Sequence, residues 1–117
     1  MEANVDGFRC DYADGVPFDF WKQALDSLKA IPNRNLVLLA EGARADHFDA
    51  GFDLNYGWNF YGGLKNVFNG QSANRLWNIN NEEYNNVAAG KHILRFSTNH
   101  DESAWDNTPT KSLTLFL

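Results

Sequence analysis

Leu36-Val37-Leu38-Leu39-Ala40 is the longest unbroken apolar run in the chain, and it constrains the fold more than any other feature. Five residues are too few for a helix, and apolar side chains on both alternating faces are the pattern of a parallel strand covered on both sides. Glu41-Gly42 ends the run abruptly. Upstream, Val5 to Asp11 reads as a strand in which Phe8 and Cys10 alternate with Gly7, Arg9 and Asp11, giving one apolar face and one charged face. Between the two lies a helical pattern. Pro17 suits a first helical position and Asp19 adds negative charge to the first turn. Trp21, Ala24, Leu25, Leu28 and Ile31 then recur at steps of three and four, with Lys22, Gln23, Asp26 and Lys29 on the wet side. Pro32-Asn33 closes the helix. Strand, helix, strand, with a connection of this length, is a right-handed parallel crossover unit.

Further along, Phe52-Asp53-Leu54 reads as a third short strand, and Tyr56 to Gly63 sets aromatics between glycines. Gly62 to Phe68 carries a helical turn before the turn dipeptide Asn69-Gly70. The pattern predicts a helix over Asn80 to Ala89, with Asn81 as cap and Gly90 as terminator, and a last strand over His92 to Ser97. From Ser103 onward the chain reads as loop until the apolar tail Leu113 to Leu117. Parallel strands with intervening helices place the chain in the α/β class, as one segment over residues 1–117.

Composition narrows the partners. At 117 residues the chain is one domain's worth of sequence, and its net charge of -5 supplies no basic field for nucleic acid. Nothing approaches the ~20 apolar residues that span a bilayer, and Met1-Glu2 does not begin a signal peptide, so a soluble chain without a membrane partner is expected. The single Cys10 cannot form an internal disulfide, and no zinc-ligand spacing is present, so no metal is assigned.

Three of the strand ends carry acids: Asp11, Glu41 and Asp101. In parallel α/β folds, ligands sit beyond the carboxyl ends of the strands, which brings such side chains to one face. Two carboxylates flanking a scissile bond, one a nucleophile and one an acid, are what glycoside hydrolysis requires. Arg9, two residues before Asp11, shares its face and favours the ionised nucleophile. Glu41, ending the apolar strand, is the better placed of the two to act as the acid. Taken singly, each acid is more often a turn former or a helix cap than a reacting group.

Gly7-Phe8-Arg9-Cys10-Asp11, Ala40-Glu41-Gly42 and Phe96-Ser97-Thr98-Asn99-His100-Asp101, in this order and each at a strand end, resemble three sequence blocks of the alpha-amylase family of glycoside hydrolases. Val16-Pro17 and Phe20-Trp21 follow the first block as in bacterial members, and the likeness runs from Val5 to about Pro109. The resemblance implies a partial TIM barrel, about strands four to seven of a (β/α)8 barrel, from a retaining enzyme acting on alpha-linked glucans such as starch or maltooligosaccharides. By matching position it implies that Asp11 is the nucleophile, Glu41 the general acid/base and Asp101 the carboxylate that holds sugar hydroxyls. Arg9 would then hydrogen-bond the nucleophile, His100 would bind a hydroxyl of the cleaved sugar, and Asn99 would support the block.

The departures carry expectations too. The first three strands, the domain inserted after the third, the eighth strand and the C-terminal sheet domain have no counterpart here, so the segment alone is expected to be inactive. Many relatives have a Lys-His pair that supplies a sugar contact and a calcium ligand where this chain has Asp14 and Gly15. Calcium in a complete protein is therefore left without its usual ligands in this segment, and no other cofactor is implied. Two open barrel edges, at the strands of Phe8 and Leu94, are expected to drive homo-oligomerisation. Trp105, in the loop after Asp101, is the better sugar-stacking candidate, while Tyr56 and Trp58 read as core aromatics. His47 and His92 read as structural or surface residues, and Cys10 as a small buried hydrophobe. Two alternatives stay open: a noncatalytic half-barrel fragment, and a complete protein that is a glucosyl transferase of the same family.

Overall fold

The computed structural model describes residues 4–85 and 87–105, the side chain of Trp105 excepted. The tail Leu113 to Leu117 lies outside the described residues. The chain divides into two compact units, one made of the part up to Tyr56 with the segment ending at Leu94, the other of Gly57–Asn85 and the part from Arg95.

The first unit is a parallel sheet. Its strands β1 (Gly7–Cys10), β2 (Val37–Ala40), β3 (Leu54–Tyr56) and β4 (His92–Leu94) lie side by side in chain order. Gly7 pairs with Val37 and Cys10 with Ala40, Leu39 pairs with Leu54, and Leu54 pairs with His92. Helix α1 (Phe18–Lys29) connects β1 to β2, and the short α2 (Asp46–Ala50) connects β2 to β3. This is the α/β arrangement expected from the strand, helix, strand pattern.

The apolar stripe of α1 is what the helix buries. Trp21 and Leu25 join Ala13, Leu36, Leu38, Ala40, Ala50 and Phe52 in one core, with Leu28 and Ile31 packed against it. Trp21 meets Phe52 edge to face at 5.1 Å between centroids, and its indole N–H donates to the Ala13 carbonyl at 3.0 Å. A buried indole needs such a partner, and this one ties α1 to the turn that leaves β1.

Several boundaries differ from the sequence reading. Pro17 stands just before α1 rather than in its first position. Val37 is 55% exposed, so β2 is covered on the Leu38 and Ala40 face but not on both, and Phe8 on β1 is also exposed. The third strand is Leu54–Tyr56, not Phe52 to Leu54, because the Phe52 N–H turns back to the His47 carbonyl and its ring enters the core. The last strand stops at Leu94, level with the end of β3, since Tyr56 pairs with Leu94.

The second unit is helical: α3 (Trp58–Phe68), α4 (Asn74–Tyr84) and α5 (His100–Trp105). Helix α4 begins six residues before the expected Asn80 and ends well short of Gly90. Its position is set by Leu76 and Ile79, which close on Gly63 of α3 so tightly that a Cβ there would lie 2.4 Å from Ile79 Cδ1. Arg95 joins α3 to α4, lying over the Phe60 ring at 3.9 Å and pairing with Glu83 at 2.5 Å. Trp58 packs edge to face against Phe96 at 5.1 Å. Residues 103–105, expected as loop, are the end of α5. Among the described residues no helix is long and apolar enough to cross a membrane.

Leu38 is fully buried and Phe20, on the outer side of α1, is 56% exposed. Leu38→Ala is expected to cost about 2–5 kcal/mol of unfolding free energy through lost burial and a residual cavity. Phe20→Ala should stay within about 0.5 kcal/mol of the parent chain. Denaturant midpoints at constant slope measure both, and equal effects would contradict the core described above.

Candidate active site

The register of β1 on β2 builds the site. Cys10 lies beside Ala40, and the ladder continues one step beyond both strands through the Glu41 N–H on the Cys10 carbonyl at 3.0 Å. Asp11 and Glu41, the next residue on each strand, therefore leave the sheet side by side. Arg9 is the common partner. One terminal guanidinium nitrogen is 2.6 Å from Asp11 Oδ1, and the other is 2.9 Å from Glu41 Oε2. Two neighbouring carboxylates repel each other, and a cation in contact with both offsets that repulsion. Solvent screening weakens the Asp11 side.

The two acids differ in setting. The Asp11 side chain is 79% exposed and the Glu41 side chain 13%. Glu41 Oε2 also accepts the Tyr12 backbone N–H at 2.8 Å. The sequence pattern pairs Arg9 with Asp11; the side chain reaches both acids, so what separates them is burial and the Tyr12 N–H rather than which one Arg9 pairs with.

Tyr56, at the end of β3, completes the set. Arg9 Nε donates to its hydroxyl at 3.4 Å, and the guanidinium lies 5.8 Å from the centre of the ring. That hydroxyl contact raises the Arg9 pKa above the ordinary arginine value; desolvation opposes it, while Asp11 and the charge of Glu41 add to it. The burial preference of aromatic rings makes Tyr56 a core residue in sequence, and nothing in the residue pattern links it to Arg9. Cys10 is half-buried, and burial pushes its thiol pKa up, which keeps it an unreactive neighbour of the acids.

Below Glu41 lies a buried polar group that had no signal in sequence. His47 is 1% exposed, and its Nδ1 is 2.9 Å from Asn55 Oδ1. The Asn55 amide donates to the Arg44 carbonyl at 2.9 Å. His47 is thus structural, as expected of it, but through a partner on β3.

Asp101, His100 and Asn99 belong to the second unit, at the start of α5. Asn99 Oδ1 accepts the Glu102 N–H at 2.8 Å, which is the capping bond that starts a helix. His100 and Asp101 are both exposed, with His100 Nε2 3.4 Å from Asp101 Oδ2. Trp105 closes α5 rather than standing in a loop.

The family's calcium ligand would fall at Asp14-Gly15. Here the Asp14 carboxylate is taken up by the backbone N–H groups of Ala43 and Arg44. No group of three or more His, Cys, Asp or Glu side chains that could hold a metal ion occurs among the described residues.

Comparison with known proteins gives the same direction. No family model matches the chain. Over 104 residues it is 31% identical to the alpha-amylase MalA of Haloarcula japonica, covering 86% of this chain and 16% of that protein. Its structure superimposes with a TM-score of 0.73 and 33% identity on a noncanonic maltogenic alpha-amylase, AmyB, of Thermotoga neapolitana, covering 86% of this chain and 23% of the other. The chain spans less than a quarter of either relative. Sequence identity and the parallel sheet agree: the two matches support an alpha-amylase family fragment, with a fold that matches part of that family's barrel.

Proposed function

We propose that this segment carries the reacting carboxylates of a retaining glycoside hydrolase that acts on alpha-linked glucans. The observation that carries the reading is the Arg9 guanidinium held between Asp11 and Glu41 at adjacent strand ends. Asp11, exposed and ion-paired, is the nucleophile: its carboxylate bonds to the anomeric carbon as the glycosidic bond breaks. Glu41, more enclosed, gives its proton to the departing oxygen. In the second half of the cycle Glu41 takes a proton from water, whose oxygen displaces Asp11 and frees the sugar. Asp101 holds ring hydroxyls and favours the distorted sugar, with His100 as a further hydroxyl contact.

In a complete barrel carrying this segment, Asp11→Asn and Glu41→Gln should each lower kcat by at least about 10³-fold while leaving the melting temperature within a few degrees. Rates near the parent's in Asp11→Asn would end the nucleophile assignment. The 117-residue chain by itself should release no measurable reducing sugar from soluble starch, since positioning of the substrate depends on further strands. Turnover that disappears in Asp11→Asn would contradict this.

We also propose that the isolated chain self-associates through the open edge of β1, where Phe8 is 36% exposed and Val37 on the adjacent strand 55%. Sedimentation at micromolar concentration should show a species larger than 13.3 kDa, and a single species at 13.3 kDa would contradict it.

A further inference from the structure

We propose that Asp14 is a positioning residue for Glu41: its carboxylate clamps the backbone that follows Glu41 and thereby sets where the Glu41 carboxyl group lies. The proposal rests on the reading of Glu41 as the acid/base.

The clamp starts at Tyr12, whose backbone is left-handed at φ 44 and ψ 46. That conformation is disfavoured for a residue with a bulky side chain and persists only where surrounding contacts impose it. Here it reverses the chain after Asp11 and lays three successive residues along the end of β2. The Tyr12 N–H reaches the Glu41 carboxylate, and the Ala13 N–H reaches the Glu41 carbonyl at 3.0 Å. Asp14 reaches furthest. Both its oxygens accept the Ala43 N–H at 3.1 Å, and Oδ1 accepts the Arg44 N–H at 3.2 Å. Bonds from N–H groups to an ionised acceptor are the stronger kind, so a carboxylate suits this role better than a neutral side chain.

The contact is returned from the other side. Arg44 donates to the carbonyls of Asp14 at 3.1 Å and Val16 at 3.0 Å, and its carbonyl is held by Asn55 of β3. Gly42 lies inside the closed ring. A Cβ there would stand 2.4 Å from Asp14 Oδ1 and 2.7 Å from Cε1 of the buried His47. Among the described residues His47 Nε2 has no hydrogen-bond partner, and it faces Asp14 Oδ1 at 3.6 Å. Glu41 thus has its own carbonyl, its carboxylate and the two residues after Gly42 fixed by one turn, and Asp14 supplies the bonds beyond the glycine.

Isotope-labelled 117-residue chain tests this without turnover. Asp14→Ala is expected to speed hydrogen exchange at the Ala43 and Arg44 amides by about ten-fold or more. It should also move the Glu41 carboxyl carbon resonance while the Leu25 and Leu38 amides keep their protection. Asp14→Asn, which retains an acceptor oxygen, should bring the Glu41 resonance part of the way back. Unchanged exchange at Ala43 and Arg44 overturns the proposal. So does faster exchange with an unmoved Glu41 resonance, which is what a mere loop brace would give. Should Asp14→Ala lose protection throughout, Asp14→Asn decides by the same two readouts. These results are independent of the glycosidase reading, which stands or falls on the activity of Asp11→Asn.

Discussion

The pairing of Cys10 with Ala40 is the constraint on which the site depends. In a parallel ladder, a shift of one residue would turn every side chain to the opposite face and carry the two acids apart. The register holds because Leu38 and Ala40 are buried under Trp21 and Leu25 of α1, and a slip would exchange those side chains for the exposed Val37. Core packing therefore sets the placement of the two carboxylates, although neither carboxylate contributes to the core.

Delivering two like charges to one spot creates a problem that Arg9 resolves within the same strand. Because residues two apart share a face, the cation arrives with Asp11 and needs no separate element to carry it. Tyr56 then holds the guanidinium from the β3 side. The turn Tyr12–Asp14 performs the complementary task for Glu41 through backbone contacts. Each acid is thus held by a different means: Asp11 by an exposed ion pair, Glu41 by the same cation and an enclosing turn.

How much of this the sequence discloses varies with the physical origin of each feature. The β1, α1, β2 unit is legible because apolar periodicity alone specifies it, and Asp11, Glu41 and Arg9 are legible because they stand at the ends of those strands. Features that depend on backbone conformation leave no such trace. Nothing in Tyr12 as a residue type announces a left-handed backbone, and without it the reach of Asp14 to Ala43 is invisible. The cap and terminator signals at Asn81 and Gly90 do not place helix α4, because its position is decided by Ile79 meeting Gly63 in another helix. Phe52 looks like a strand residue by propensity, yet its burial in the core and its bond to His47 keep it outside the ladder. Asn99 reads as part of a sugar-binding block and is also a helix cap, a second role that fits the same residue type.

The central claim is that Asp11 and Glu41, held by one cation, perform a double displacement. The anomeric form of the first-formed product tests it most directly. With the segment in its complete barrel and a maltooligosaccharide as substrate, proton NMR in the first moments of reaction, before mutarotation, should show the α-anomer, because two inversions at one carbon restore the starting configuration. A first product in the β form would mean a single displacement by water, and would contradict the assignment of Asp11 as nucleophile.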